Sequence, residues 1–124
     1  MVTRSVVVLT LVLLALPAIA LPPFSLQWKG KYVEGSKDDA FKRAVTTANC
    51  NVCHDPNSKS KKDHNPYGKA VKKYLTKADY DKIKTDLDAA KKYILEGLDK
   101  AEGEKGADGK TYGEKLKEGK LPGA

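Results

Sequence analysis

The sequence predicts an all-α fold made of four or five short helices. Apolar residues recur at helical spacing in several segments, and polar residues of the capping type stand just before those segments. No stretch alternates apolar and polar residues in the way that a half-buried strand does. These observations favour one small helical domain preceded by N-terminal segments of different character.

The first twenty residues have the pattern of an export signal. Arg4 supplies a positive charge, residues 6–16 are an apolar run, and residues 18–20 are small at both ends, as at a cleavage site. As a helix the run would span about 16 Å, against about 30 Å for the hydrocarbon core of a bilayer. We expect cleavage after Ala20, with an uncleaved anchor as the alternative. The mature protein would be periplasmic or otherwise extracytoplasmic, without stable membrane insertion.

Residues 21–37 are expected to be an extended lead-in to the domain. A proline pair opens this segment, and glycines interrupt the recurring aromatic residues Phe24, Trp28 and Tyr32. The domain itself would comprise residues 38–124. Only 16 of the 104 residues after Ala20 are Leu, Ile, Val or Phe. A fraction below about 20% is typical of chains with too few apolar side chains to form a full hydrophobic core.

The first two helices of the domain have recognisable starts. Ser36 and Asp38 are candidate caps for a helix that ends near the first cysteine, with Phe41 and Val45 on its apolar face. Asn65 precedes Pro66, and this pair is typical of the first positions of a helix.

Two further helices follow in the C-terminal half. Thr76 is the candidate cap of a helix from about residue 77 to residue 100, with a break expected near Thr85. A linker rich in glycine comes next. Thr111 and Glu114 then form a capping box for a last short helix that ends near Gly119.

Both cysteines of the chain lie in the segment CNVCH, at Cys50 and Cys53, and His54 follows at once. A disulfide between them would close too small a loop to stabilise the fold much. Zinc would need four ligands, and only His64 could complete the set. A thioredoxin-type pair would stand beside a βαβ pattern, which the sequence lacks.

The Cys-x-x-Cys-His spacing instead predicts one covalently bound haem c. The two thiols add to the two vinyl groups of the porphyrin, and the adjacent imidazole becomes the proximal ligand of the iron. Attachment of this kind takes place outside the cytoplasm, which agrees with the export signal. Cys50, Cys53 and His54 are therefore the predicted haem-binding residues.

The chain resembles the small exported monohaem c-type cytochromes. The resemblance is carried by CNVCH, by the helix before it, by the helical remainder, and by the terminal TYGEKLKEGKLPG, which is similar to the tail of a group of cytochrome-like proteins. It implies a cytochrome-c-like fold and single-electron transfer between redox partners. Such cytochromes usually supply a methionine as second axial ligand, but the only methionine here is Met1.

The second axial position decides between two functions. His64, the only other histidine, is the candidate distal ligand from the protein, and the alternatives are another side chain, water or an open position. Two strong ligands would suit an electron carrier, which we expect. An open site would suit a module that binds or senses small ligands. No dedicated acid–base pair is evident, so we do not expect an enzyme.

The formal net charge of the chain is +7. Lysines are dense just after the cysteine motif, and they would attract acidic redox partners unless they are simply a solvated helix face. Nucleic acid is not an expected partner of an exported protein, and the two tyrosines among these lysines, Tyr67 and Tyr74, fall on the apolar stripe of a predicted helix rather than forming base-stacking platforms. The lysines concerned are Lys59, Lys61, Lys62, Lys69, Lys72, Lys73 and Lys77.

Overall fold

The structure is a computed structural model, and it describes residues 23–60 and 62–124. The export signal predicted for residues 1–20 lies outside the described residues, as does Lys61. Helices make up 61% of the described part, which contains no β-strand, so the all-α class is confirmed. In these ranges no helix has the length and apolar character needed to cross a membrane.

Six α-helices follow one another in the described ranges. They are α1 (Pro23–Tyr32), α2 (Asp39–Ala48), α3 (Pro66–Tyr74), α4 (Lys77–Ile83), α5 (Leu87–Glu102) and α6 (Tyr112–Lys117). A 3₁₀ turn, Asn49–Val52, continues α2. The longest helix, α5, contacts α1, α3, α4 and α6, so it lies at the centre of the packing.

Helix starts agree closely with the caps predicted from the sequence. The predicted caps accept backbone N–H groups at four N-termini: Asp38, Asn65, Thr76 and Thr111. The break expected near Thr85 is present, but the side chain that caps α5 is that of Asp86, which accepts from the Ala89 N–H at 3.1 Å. A carboxylate is an even better acceptor for these N–H groups than a hydroxyl, since it also complements the helix dipole.

The segment expected to be an extended lead-in is helical in most of its described part. Pro23 occupies the first position of α1, where a missing N–H is tolerated. Trp28 is only 5% exposed, and its Nε1 donates to the hydroxyl of Tyr67 at 2.8 Å. Tyr32 donates to Glu102 of α5 at 2.5 Å. These contacts with distant residues stabilise a helix whose own sequence is a weak helix former.

The buried side chains form one cluster that is rich in aromatic residues. Trp28, Tyr67 and Tyr112 belong to it together with the aliphatic residues of α2, α3 and α5. The rings of Tyr67 and Tyr112 meet edge to face, with centroids 5.2 Å apart. Tyrosine and tryptophan therefore supply the core volume that a count of Leu, Ile, Val and Phe leaves out.

Candidate functional site

The cysteine motif occupies a compact turn between α2 and the loop that follows. Asn49 ends α2 with a positive φ of 48°, a conformation that asparagine tolerates better than most residues. The N–H groups of Cys53 and His54 both donate to the carbonyl of Cys50, at 3.3 and 3.0 Å. Val52 points into the core at 6% exposed. The turn therefore fixes the spacing of the two cysteines and the histidine.

The two thiols are not joined and have different surroundings. Cys50 is exposed, whereas Cys53 is partly buried against the core. Burial, with a smaller contribution from Cys50, raises the pKa of the Cys53 thiol to about 12. Redox-active and metal-binding cysteines have lowered pKa values, because the thiolate is the reactive form. The environment of Cys53 is therefore unlike that of a dithiol redox pair.

His54 and His64 face each other across an isolated antiparallel bridge. The N–H of Asp55 donates to the carbonyl of Asp63 at 3.1 Å, and the N–H of Asn65 donates to the carbonyl of Cys53 at 2.9 Å. Bonds that flank a pair in this way put the two side chains on the same face, close together. The imidazole rings have centroids 4.7 Å apart and an angle of 30° between their planes.

The surroundings of the two imidazoles favour one tautomer of His54 and lower the pKa of His64. Nδ1 of His54 lies 3.3 Å from the carbonyl oxygen of Asp63, so a proton on Nδ1 leaves Nε2 as the free nitrogen. Partial burial, His54 and Lys72 lower the pKa of His64, and they outweigh the opposite effects of the Lys62 backbone and Asp63.

Asn65 holds the cysteine turn against the start of α3. Its Nδ2 donates to the carbonyls of Asn51 and Val52, at 3.1 and 2.9 Å, while its Oδ1 accepts from the N–H of Gly68 at 2.8 Å. The sequence predicted Asn65 only as a helix cap. Its hydrogen bonds to the cysteine turn depend on long-range packing, which the local pattern does not show.

Gly68 allows α3 to approach the motif. A Cβ atom at this position would lie 1.9 Å from the carbonyl oxygen of Cys53 and 3.0 Å from Cβ of His64. Any larger residue would therefore displace the turn or the bridge. A glycine in the first turn of a predicted helix was the signal that could have revealed this contact.

The predicted basic surface divides into paired and unpaired lysines. Lys73 pairs with Glu104 at 3.1 Å and Lys77 with Asp81, so these two charges are partly neutralised. Lys62, Lys69 and Lys72 line a concavity of about 280 Å³ beside His64, and no ion pair within the described residues includes them. Lys59 is also exposed in the loop between the histidines. Three of the unpaired lysines thus lie beside His64.

The residues of the turn fit covalent haem in their donor chemistry. Two free thiols at the required spacing and an adjacent imidazole with Nε2 available are the groups that haem c uses. Within the described residues, no group of three or more His, Cys, Asp or Glu side chains is placed to hold a metal ion by itself. This arrangement does not supply the four ligands of a structural zinc site.

The position of His64 bears on the second axial ligand. With haem bound, His54 would hold the iron from one side of the porphyrin, and His64 would become the second ligand only from the other side. The rings of His54 and His64 are 4.7 Å apart on one face of the bridge. His64 could reach the opposite face of a haem only if the two flanking hydrogen bonds opened.

No protein-family model, curated protein or solved structure matches this chain. The function of the chain must therefore be inferred from the residues of the site and their geometry.

Proposed function

We propose that this protein is an exported monohaem c-type cytochrome that carries single electrons between redox partners. The observation that carries the proposal is the turn in which the N–H groups of Cys53 and His54 both donate to the Cys50 carbonyl, with Nδ1 of His54 against the carbonyl of Asp63. When bound, the haem supplies an iron that takes up and releases one electron. Such a protein would act in the periplasm or otherwise outside the cytoplasm.

The residues of the site would have four tasks in this function. Cys50 and Cys53 would hold the haem through two thioether bonds, and His54 would be the proximal ligand. The Asp63 carbonyl would keep the proton on Nδ1 of His54 and so orient the ring. Asn65 and Gly68 would keep the turn in place during oxidation and reduction.

The unpaired lysines beside the motif supply a surface for acidic redox partners. Lys62, Lys69 and Lys72 line the concavity next to His64 together with two aspartates, and Lys59 lies in the adjoining loop. Positive charge near the exposed motif would steer a negatively charged partner and increase the rate of association at low salt. Lys73 and Lys77 would contribute less, because each already has an acidic neighbour.

The test is to measure the rate of electron transfer to an acidic redox protein at several salt concentrations. Replacing Lys62, Lys69 and Lys72 by glutamate should lower the second-order rate constant at least tenfold at low salt, and the difference from the wild type should shrink as salt is added. The matched control is the same change at Lys91, Lys100 and Lys117, which are exposed and belong to α5 and α6. Equal effects of the two triple variants would show that only the net charge matters.

A second candidate function is favoured by the histidine bridge. With His64 beside His54, the second axial position would be open to a small ligand such as CO, NO or peroxide. The protein would then bind or sense that ligand.

Spin state separates the two functions. A low-spin ferric spectrum that becomes high-spin in His64→Ala would assign the distal position to His64 and support the electron carrier. A high-spin wild type whose ferrous form binds CO would support the ligand-binding function. A low-spin spectrum that His64→Ala leaves unchanged would assign the position to another side chain.

A further inference from the structure

The spacing of the two imidazoles matches that of two ligands on a single metal ion, without haem. Two imidazole nitrogens bound side by side to one ion, each at about 2.1 Å, place the ring centres about 4.5–5 Å apart. The observed separation of 4.7 Å matches this arrangement. The bridge holds both rings on one face without a change of backbone.

The donor set indicates which ions would bind. Imidazole nitrogens suit copper, nickel and zinc, whereas calcium and magnesium prefer oxygen ligands. The nearby carboxylates are already engaged in the loop, since Asp55 accepts from the N–H of Asn57 at 2.8 Å and Asp63 accepts from Ser58. No third ligand of the usual types joins the pair within the described residues, so water would complete the coordination.

We propose that, in the chain without attached haem, His54 and His64 form a two-imidazole site for a late first-row divalent ion, with Cu²⁺ bound most tightly. The order of affinity follows the general order for such ions, in which Cu²⁺ exceeds Ni²⁺ and Zn²⁺. This site goes beyond the proposed cytochrome function and does not depend on it. An ion at the site and a haem iron would compete for His54.

The surrounding charge sets a limit on the affinity. Lys62, Lys69 and Lys72 line the concavity beside His64 and would repel a cation, while Asp55 and Asp63, which also line it, offset part of this repulsion. Removing one of these charges should therefore strengthen binding, whereas removing an imidazole should weaken it. Opposite effects from neighbouring substitutions would locate the ion more firmly than a loss of binding alone.

The test uses a chain with Cys50→Ser and Cys53→Ser, which can neither attach haem nor bind metal through thiols. The chain is titrated with copper chloride. Calorimetry should give a stoichiometry of one Cu²⁺ per chain, and electron paramagnetic resonance should show two nitrogen ligands. Adding His64→Ala should lower the affinity at least tenfold, whereas Lys72→Gln should raise it about threefold. Lys59→Ala, in the same loop but outside the concavity, is the matched control and should change little.

A second measurement does not need the His64→Ala variant, and it therefore separates loss of binding from loss of the fold. In the double-serine chain, substoichiometric Cu²⁺ should broaden the NMR signals of both imidazoles before any other side chain. Equal affinity in the His64→Ala chain, or first broadening elsewhere, would overturn the proposal. The cytochrome proposal is tested separately, because a wild-type chain that never attaches haem would refute that function and leave this site intact.

Discussion

At the scale of single residues, Asn65 and Gly68 hold the cysteine turn against the start of α3. Asn65 is 7% exposed and satisfies two carbonyls of the turn while it caps α3. Gly68 leaves room for the carbonyl of Cys53. Both residues act on the position of the motif without belonging to it.

Asn65→Asp should destabilise the protein by about 1–3 kcal/mol, because a carboxylate cannot donate to the carbonyls of Asn51 and Val52 and would leave the buried Val52 carbonyl without this donor. The cap on Gly68 would survive the change, so the loss would come from the turn. The free energy of unfolding in denaturant measures this. The control is Asp86→Asn, which exchanges the same two side chains at the exposed cap of α5 and should change stability by only a few tenths of a kcal/mol.

Gly68→Ala should cost about 2–3 kcal/mol, since the added methyl group meets the Cys53 carbonyl and overpacks the contact. Denaturant unfolding is again the measurement. Gly35→Ala is the control, because a Cβ at Gly35 meets nothing within 4 Å. Similar losses in the two variants would mean that the close approach of α3 to the turn is not what Gly68 provides.

Contacts between elements explain why α1 forms. Its aromatic residues bind partners that are distant in sequence, as Trp28 does with Tyr67 and Tyr32 with Glu102. Lys31 adds an ion pair with Asp99 of α5 at 2.5 Å. Docking on α5 and α3, rather than local propensity, therefore stabilises this helix.

Trp28→Phe should lower stability by about 1–3 kcal/mol, because it leaves the buried hydroxyl of Tyr67 without its donor. Tyr67→Phe should have an effect of similar size, because it leaves the buried Nε1–H of Trp28 without its acceptor. In a double-mutant cycle the two losses should not add, because both variants remove the same hydrogen bond. Full additivity would contradict a direct Trp28–Tyr67 interaction.

Glu104 links α3 to the segment after α5 in a way that depends on pH. Hydrogen bonds from Tyr74 and Lys73 lower the pKa of the Glu104 carboxyl from its usual value of 4.5. A group with a lowered folded-state pKa stabilises the fold above its unfolded pKa, and this contribution is lost as the pH falls through the folded value.

Glu104→Gln should therefore flatten the fall in stability below about pH 4.5, as measured by thermal melts across the acid range. Glu96→Gln is the control, since the Glu96 pair with Lys92 is exposed and 3.8 Å long. If both variants keep the acid transition of the wild type, Glu104 does not contribute to it.

At the scale of the whole molecule, local patterns predicted the helix starts and the α class. Caps such as Asp38 and Thr111 are visible in the sequence because the acceptor and the N–H that it binds are three residues apart. Helix α1 was missed because Trp28 finds its partner 39 residues away. The bridge between His54 and His64 was missed for the same reason, since backbone pairing across a nine-residue loop leaves no periodic signal.

The cysteine motif itself was read directly from the sequence, and the structure adds its surroundings. Spacing identified Cys50, Cys53 and His54, but it did not reveal that Asp63 faces Nδ1 or that Asn65 supports the turn. His64 was predicted as a candidate distal ligand because it is the only other histidine of the chain. The closed bridge means that this ligation requires the loop to open.

The most direct test of the account is whether the exported protein carries covalent haem at its cysteine motif. The protein should be produced in a host that can attach haem outside the cytoplasm, purified without reduction, and examined by intact-mass spectrometry and by acid–acetone extraction. We expect a mature chain that is heavier by the mass of one haem, haem that extraction does not remove, and no haem when Cys50 and Cys53 are both serine. A native protein with a Cys50–Cys53 disulfide or bound zinc in place of haem would refute the cytochrome proposal.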